Sequence, residues 1–198
     1  GNIMEYIIGM DLEGGTLVYY DSILGNGIVA SLDNLSYSYW GCYEQEIIGA
    51  NSFSLELGYE NTLSIDNQCS DENSAASISL DYSYQNFSDW FLPTISLLEI
   101  IHQEIGLPYD IYWSSTQFDN NSSYVFDAST STYSLNEKWS SNRLLFVRPF
   151  GNWVIGCNDE AAFNYDNDVT LPNSFTCIPV IHGCIDSLAF NYYSESNT

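Results

Sequence analysis

Basic residues are almost missing from this chain. Its 198 residues include 3 Lys+Arg against 26 Asp+Glu, for a formal net charge of −23. So few cations cannot neutralise phosphates or anionic headgroups, which argues against nucleic acid and anionic lipid as partners. No apolar run approaches the length of a membrane span, which argues against direct membrane insertion. The excess of carboxylates favours solubility and cation binding.

Catalytic and metal-binding motifs are also lacking. No Cys-x-x-Cys pair is present, and His102 and His182 are far apart, so a zinc site is not expected. Nucleophile elbows, phosphate loops and His-Glu-x-x-His motifs are absent. A chain with 26 acidic residues always offers carboxylate pairs, and a glycosidase needs two of them across a cleft. We therefore predict that the chain is not an enzyme, and a polysaccharide-active enzyme stays the third hypothesis.

Apolar residues are plentiful and predict a packed core. They make up 45% of the chain, and aromatic residues make up 16%, which excludes a disordered protein. The clearest element is a helix that Thr94 caps and Gly106 ends, with apolar residues at helical spacing between them. Residues 90–92 precede it as a short buried strand that Pro93 stops. On the polar side of this helix, His102 is expected to face solvent.

Strands are predicted before and after the helices. The apolar patterns indicate a hairpin at 16–20 and 27–31 and an extended segment at 37–43 that leads into a loop. They also indicate helices at 55–66 and 73–82 and strands at 124–128 and 143–149. This order is typical of an α+β domain whose terminal strands pair with each other. In so acidic a chain, Arg143 and Arg148 are each expected to pair with a carboxylate.

A short repeat follows this domain. Residues 156–165 recur at 183–192, an offset of 27, with seven of the ten residues identical. We therefore predict a domain at 1–151, a first repeat at 152–182 and the start of a second repeat at 183–198.

The five cysteines indicate disulfides and an oxidising compartment. Cys157 and Cys177 bracket the first repeat and are predicted to pair, which leaves Cys42 and Cys69 to pair in the first domain. Cys184 opens the second repeat, which reaches Thr198 before any closing cysteine. We predict that the natural polypeptide continues and holds the partner of Cys184, and a free thiol is the alternative.

Several segments together resemble a known family. They are 14–20 with 27–30, 40–42 with 58–62 and Cys69, 89–93, 112–115 and 147–150. This combination resembles the C-terminal domain family of the bacterial collagen-like adhesin Lcl over about residues 6–150. The resemblance implies a secreted or surface-attached protein with a fold related to C-type lectin-like and formylglycine-generating-enzyme-like domains. The tail is similar to Gly-Cys-x-Asp-x-x-Ala-x-Asn-Tyr repeats of secreted bacterial proteins.

The resemblance implies adhesion or ligand display and brings no sugar site with it. The lectin calcium–sugar motifs Glu-Pro-Asn, Gln-Pro-Asp and Trp-Asn-Asp are absent. The best candidates for a recognition face lie in the late loops rich in Ser, Thr and Asn, where a rigid scaffold presents contacts. They are Tyr124, Tyr133, Trp139 and Asn142. Solvent-facing loop residues without a ligand are the alternative, and the signature aromatics, such as Trp90 and Trp113, are expected in the core.

Two further kinds of site are open. Calcium takes oxygen ligands, and the first repeat offers Asp159, Asn164, Asp166 and Asp168. The alternative is that these residues cap turns around a disulfide. Four sequons are potential glycosylation sites, at Asn34, Asn86, Asn120 and Asn121, although a chain this rich in Asn, Ser and Thr would contain several by chance.

The sequence thus predicts a non-enzymatic extracellular or cell-surface module for adhesion or for assembly of a surface structure, and a fibre subunit is one form of it. A carbohydrate-binding or ligand-binding lectin-like receptor module is the alternative. The expected partners are other copies of the chain or surface glycans. We expect that the chain requires no cofactor. If it binds a metal ion, calcium is the ion that suits the acidic repeat.

Overall fold

The computed structural model describes residues 6–33 and 36–198. The chain divides into two compact units, Gly1–Trp153 and Val154–Thr198. Among the described residues, the first unit has three α-helices: α1 (Gly58–Gln68), α2 (Ala75–Asp81) and α3 (Ile95–Ile105). None of the described helices is long and apolar enough to cross a membrane.

The strands of the first unit form two sheets. One sheet has the order β1-β2-β3-β9, with β1 (Asp11–Leu12), β2 (Gly15–Asp21), β3 (Asn26–Ser31) and β9 (Phe146–Gly151). The other has the order β4-β8-β5-β6-β7, with β4 (Tyr37–Ser38), β5 (Ile111–Gln117), β6 (Ser122–Asp127), β7 (Thr132–Glu137) and β8 (Asn142–Arg143). The unit is therefore a mixed α+β domain, as the sequence predicts.

The first sheet is completed by pairing of an early strand, β3, with the last strand of the unit, β9. Every residue of β3 is buried, and β3 lies between β2 and β9 with Asn26 opposite Gly151 and Ser31 opposite Phe146. Gly151 has a φ of 88°, and a Cβ there would lie 2.1 Å from the carbonyl oxygen of Gly25. Only glycine fits both requirements at this close approach of two backbones.

The signature aromatic residues pack inside the unit. Phe91 is fully buried, pairs with Val147 through two backbone hydrogen bonds of 2.8 and 2.9 Å, and joins the apolar face of α3 in one cluster. A second cluster holds Trp40, Trp90 and Trp113, all fully buried. These side chains stabilise the fold through apolar burial, so they form no exposed binding platform.

The segment at 37–43, predicted to be extended and to lead into a loop, is a strand only at β4, Tyr37–Ser38. Gly41 and Cys42 have φ values of 101° and 50°, which turn the chain into a loop. The strand predicted at 143–149 is two strands, β8 and β9, that belong to different sheets. The strand β7 was not predicted at all.

His102 is not the solvated side chain that its polar neighbours suggest. Its Nδ1 accepts a hydrogen bond from the backbone N–H of Leu107 at 3.1 Å, and its Nε2 lies 3.0 Å from the hydroxyl of Ser131. Its ring also contacts Phe126, with 5.1 Å between ring centroids. His102 therefore fastens the end of α3 to the second sheet.

The second unit contains both repeats. The first carries the short parallel pair β10 (Ile155–Gly156) and β11 (Leu171–Pro172). The same backbone hydrogen bond occurs in both repeats, 27 residues apart. The N–H of Asp166 donates to the carbonyl of Cys157 at 3.0 Å, and the N–H of Tyr193 donates to the carbonyl of Cys184 at 3.0 Å. The repeat seen in the sequence is therefore also a repeat of backbone structure.

The first unit extends two residues past the boundary predicted after residue 151. Trp153 belongs to it because its indole N–H donates to the carbonyl of Gly27 at 2.8 Å.

Candidate recognition face

A group of four aromatic side chains, three of them exposed and one half-buried, lies at the second sheet. Tyr124 on β6 is at its centre, and its ring lies 5.0 Å from Phe53, 5.8 Å from Phe118 and 5.9 Å from Tyr133, centroid to centroid. All three contacts are edge-to-face, the arrangement that aromatic quadrupoles favour. We call these four residues the aromatic patch.

The aromatic patch faces solvent although its rings pack on one another. Phe53, Phe118 and Tyr133 are 42%, 53% and 50% exposed, and the neighbouring Leu135 on β7 is 41% exposed. Large apolar side chains that stay together at a surface are typical of a contact site. The patch is therefore the feature of the first unit best suited to recognition.

Buried polar side chains hold Phe53 in the patch. The fully buried amide of Asn61 on α1 bonds both the N–H of Ser52, at 3.2 Å, and its carbonyl, at 2.8 Å. The hydroxyl of Thr116 on β5 donates to the same carbonyl at 2.9 Å. The loop that carries Phe53 is thus fixed before any partner binds, which lowers the entropy lost on binding.

A tight turn between β5 and β6 positions Phe118. The carboxylate of Asp119 accepts hydrogen bonds from the N–H groups of Asn121 and Ser122 at 2.8 and 2.7 Å. The N–H of Phe118 donates to the carbonyl of Ser122 at 3.1 Å. Phe118 follows the strand β5 directly, so its position beside Tyr124 could have been predicted, whereas Phe53 comes from a distant loop and could not.

The only lysine anchors the end of β7 beside the patch. Lys138 is fully buried, and its Nζ donates to the carbonyl of Gln45 at 2.7 Å and to Oε1 of Gln117 at 2.8 Å. It also lies 4.6 Å from the ring centroid of Trp40. Burial lowers the pKa of Lys138 to about 8, against the opposing effect of Asp119 and Glu46.

The structure separates the four predicted recognition residues. Tyr124 and Tyr133 meet in the aromatic patch, and Trp139 is 62% exposed just beyond β7. Asn142 is buried in β8, where its side-chain oxygen Oδ1 accepts a hydrogen bond from the side-chain amide of Asn136 at 3.1 Å. The structure therefore does not place it on an exposed face. Sequence reasoning also missed Phe53 and Phe118.

The acidic residues of the first repeat serve turns. Asp159 accepts a hydrogen bond from the N–H of Ala161 at 2.9 Å, and Asp166 does the same for Asp168 at 2.9 Å. Asn164 bonds backbone groups of Thr176 and Ile178 at 2.8 and 2.7 Å. Within residues 6–33 and 36–198, no group of three or more His, Cys, Asp or Glu side chains is arranged to hold a metal ion. These contacts are the ones that the turn interpretation expects, and calcium binding by the first repeat stays a prediction.

The structure pairs four of the five cysteines. Cys42 is joined to Cys69 and Cys157 to Cys177, while Cys184 forms no disulfide within the described residues. The sequon residues Asn86 and Asn120 are exposed, whereas the side-chain oxygen of Asn121 is buried. The sequon at Asn34 lies outside the described residues.

Both arginines pair with carboxylates, as predicted. Arg148 binds both oxygens of Asp89, at 2.6 and 2.9 Å, and also Glu13 at 2.9 Å. Arg143 lies 3.8 Å from Asp110. Arg148 thereby ties β9 to the segment before α3 and to the turn between β1 and β2.

An open cleft of about 710 Å³ lies beside β1, with the carboxylates of Asp11, Glu13 and Asp33 among its lining groups. The Glu13 carboxylate is engaged by Arg148, and Asp11 accepts a hydrogen bond from Thr16 at 3.1 Å. Two of its three acids are thus held in structural contacts.

No protein-family model matches the chain, and no curated protein matches it. Among solved structures, a fimbrial protein from Bacteroides ovatus ATCC 8483 is similar, with 17% sequence identity and a TM-score of 0.42. The match covers 64% of this chain and 36% of that protein. The resemblance to the Lcl family stays a prediction, and we argue function from the residues of this chain.

Proposed function

We propose that the chain is a non-enzymatic extracellular or cell-surface module that makes contacts for adhesion or for assembly of a surface structure. The observation that carries the proposal is the aromatic patch beside the edge strand β7. Exposed apolar rings on a preorganised scaffold are typical of protein contact sites. The proposal includes the lectin-like relationship of the fold that the sequence resemblance implies.

Two further observations support this proposal. Disulfides persist in oxidising compartments, and two of them join four of the five cysteines. All three Lys and Arg side chains are buried, so the exterior of the folded chain presents carboxylates and no Lys or Arg side chain. Such a surface keeps the folded protein soluble and away from anionic lipid.

Carbohydrate binding is the second candidate. Phe118 and Tyr133 offer exposed ring faces, and hydroxyl and amide side chains such as those of Asn120 and Thr132 lie next to them in the chain. Aromatic rings that present an apolar face and nearby polar groups that set orientation are the two components that a sugar site requires. This candidate uses the same aromatic patch, so one set of variants tests both.

The test is attachment of beads that carry the full chain to cells and to a surface coated with the same chain. We expect Phe118→Ser with Tyr133→Ser to reduce attachment by about tenfold or more, because aromatic anchors dominate contact energy. Tyr109→Ser is the matched control, since Tyr109 is 84% exposed and lies outside the aromatic patch. Equal attachment of the patch variant and the wild type would contradict the proposal.

A glycan array with the same variants separates the two candidates. Patch-dependent binding to defined glycans would favour the carbohydrate-binding module, and attachment without glycan binding would favour protein contacts. Attachment measured with and without a chelator tests the predicted calcium site, and a loss of attachment with the chelator would support it.

A further inference from the structure

The strand β7 is an open edge of the second sheet. Its six residues pair with β6 on one side, from Thr132 opposite Asp127 to Glu137 opposite Ser122. Within the described ranges no strand pairs with its other side. Five of the six residues are exposed, so the unpaired backbone groups of this edge face solvent.

This edge lacks the features that prevent strands from joining. Soluble proteins protect an edge with proline, with lysine or other charges, or with a bulge. Residues 132–137 contain no proline and no basic residue, and their one charge is Glu137 at the end. The register with β6 is continuous over all six pairs, so no bulge interrupts it. The edge is therefore competent to accept another strand.

We propose that β7 pairs antiparallel with β7 of a second copy, with Ser134 opposite Ser134, so that two five-stranded sheets become one sheet of ten strands. In this register Tyr133 lies opposite Leu135 of the second copy, and Thr132 lies opposite Asn136 of the second copy. Aromatic–aliphatic pairs of this kind stabilise antiparallel strands. The pairing deepens the proposed function, because it gives assembly of a surface structure a specific contact.

The neighbouring register is less favourable. Placing Leu135 opposite itself would set Tyr133 against Glu137 of the second copy and lose both aromatic–aliphatic pairs. A shift by a single residue would bring the aromatic face of one sheet level with the opposite face of the other. The register centred on Ser134 is therefore the one that matches apolar with apolar side chains and keeps the aromatic face continuous.

Charge permits this contact despite a net charge of −23 on each copy. The stretch 128–136 contains no acidic or basic residue, so in this register the strands oppose no two charges directly. The remaining repulsion acts over longer distances, and salt screens it with a Debye length of about 8 Å at physiological ionic strength. Dimerisation is therefore expected to strengthen as salt is added.

Cysteine cross-linking tests the register in the full chain. In a Cys184→Ser background, Ser134→Cys places two thiols directly opposite, and we expect a disulfide-linked dimer under mild oxidation. Thr132→Cys is the matched control, because its two thiols would lie four residues apart, about 13 Å along the strands. That separation exceeds what a disulfide spans, so at least about tenfold less cross-linked dimer is expected.

Two further arms complete the test. A mixture of the Thr132→Cys and Asn136→Cys chains should form a mixed dimer, since these positions are opposite each other. In sedimentation velocity, Ser134→Asp should raise the dissociation constant about fivefold or more, because it sets two carboxylates face to face. Circular dichroism is the folding control. If a variant weakens only the contact between copies, its spectrum should match that of the wild type.

Equal cross-linking of the Ser134→Cys and Thr132→Cys chains would overturn the proposal, as would a monomer at every concentration in 0.5 M salt. If the wild type still attaches to cells through the aromatic patch, only the strand pairing fails. If the wild type does not attach to cells either, the proposed function fails together with the strand pairing.

Discussion

At the scale of single residues, Lys138 is the least expected feature of the molecule. It lies in a polar stretch that no apolar period marks, so the sequence offered no signal for its burial. In the structure it is fully buried against a carbonyl, an amide oxygen and an indole ring, with no carboxylate in hydrogen-bond contact among the described residues. Burying a charged amine without a paired carboxylate is costly, so this residue makes stability depend on pH.

We expect the free energy of unfolding to rise by about 1–2 kcal/mol between pH 7.5 and 9.5, with Lys138 responsible. Burial lowers its pKa to about 8 in the folded chain, against about 10.4 in the unfolded chain. Between these values the unfolded chain binds more protons, so stability increases with pH. Above about pH 10 the effect reverses, because unfolded tyrosines ionise while burial raises the pKa of Tyr112 to about 12.

Urea denaturation at pH 7.5, 8.5 and 9.5 measures this dependence. Lys138→Met retains most of the side-chain volume and removes the titrating group, so its stability should change little over the same range. If Lys138→Met shows the same rise as the wild type, another group is responsible.

At the scale of elements, helices and strands are predicted best from the sequence where one face of the element is buried and the other is exposed. The helix α3 begins at Ile95 and ends at Ile105, as its caps and apolar spacing indicate. The strand β7 was missed for the opposite reason, since both of its faces are largely exposed at the edge and its sequence has no buried period. Tyr133 was therefore predicted as a loop residue, although the pairing of β7 with β6 is what brings it to Tyr124.

The cap of α3 gives a prediction at this scale. The hydroxyl of Thr94 accepts a hydrogen bond from the N–H of Leu97 at 3.3 Å, and Thr94 is fully buried. We expect Thr94→Ala to lower the free energy of unfolding by about 1 kcal/mol, and Thr94→Ser to lower it less, because serine keeps the hydroxyl. Ser96→Ala is the control in the same thermal and urea denaturation series, because Ser96 lies in the same first turn and its side chain is not the one that caps the helix. Equal losses for Thr94→Ala and Thr94→Ser would assign the effect to apolar packing instead of the cap.

At the scale of the whole molecule, the fold conceals its few cations. The excess of acid was visible in the sequence, and so was the pairing of Arg143 and Arg148 with carboxylates. The burial of all three basic residues was not visible, because it depends on contacts between distant segments, such as Arg148 with Glu13 and Lys138 with Gln45. The molecule is thus much more uniformly anionic at its surface than its composition alone requires.

Burial of the basic residues predicts resistance to proteases that cleave after Lys or Arg. Their only sites are Lys138 and Arg143, because Pro149 blocks cleavage after Arg148. Both residues are less than 9% exposed, and they lie beside or in paired strands. Cleavage requires local opening of this region, which the strand pairing and the buried ion pairs oppose. We therefore expect trypsin to leave the folded chain intact under conditions in which it cuts the urea-unfolded chain after both Lys138 and Arg143.

Chymotrypsin is the matched control, because the fully exposed Phe190 and other surface aromatic residues offer it sites in the folded chain. Mass spectrometry of the fragments identifies each cut. Rapid trypsin cleavage after Lys138 in the folded chain would show that the end of β7 opens readily, which is incompatible with the anchoring contacts of Lys138. If Lys138 does anchor the end of β7, trypsin should cut a Lys138→Met chain at Arg143 sooner than it cuts the wild type, because loss of the anchor lowers the free energy of local opening.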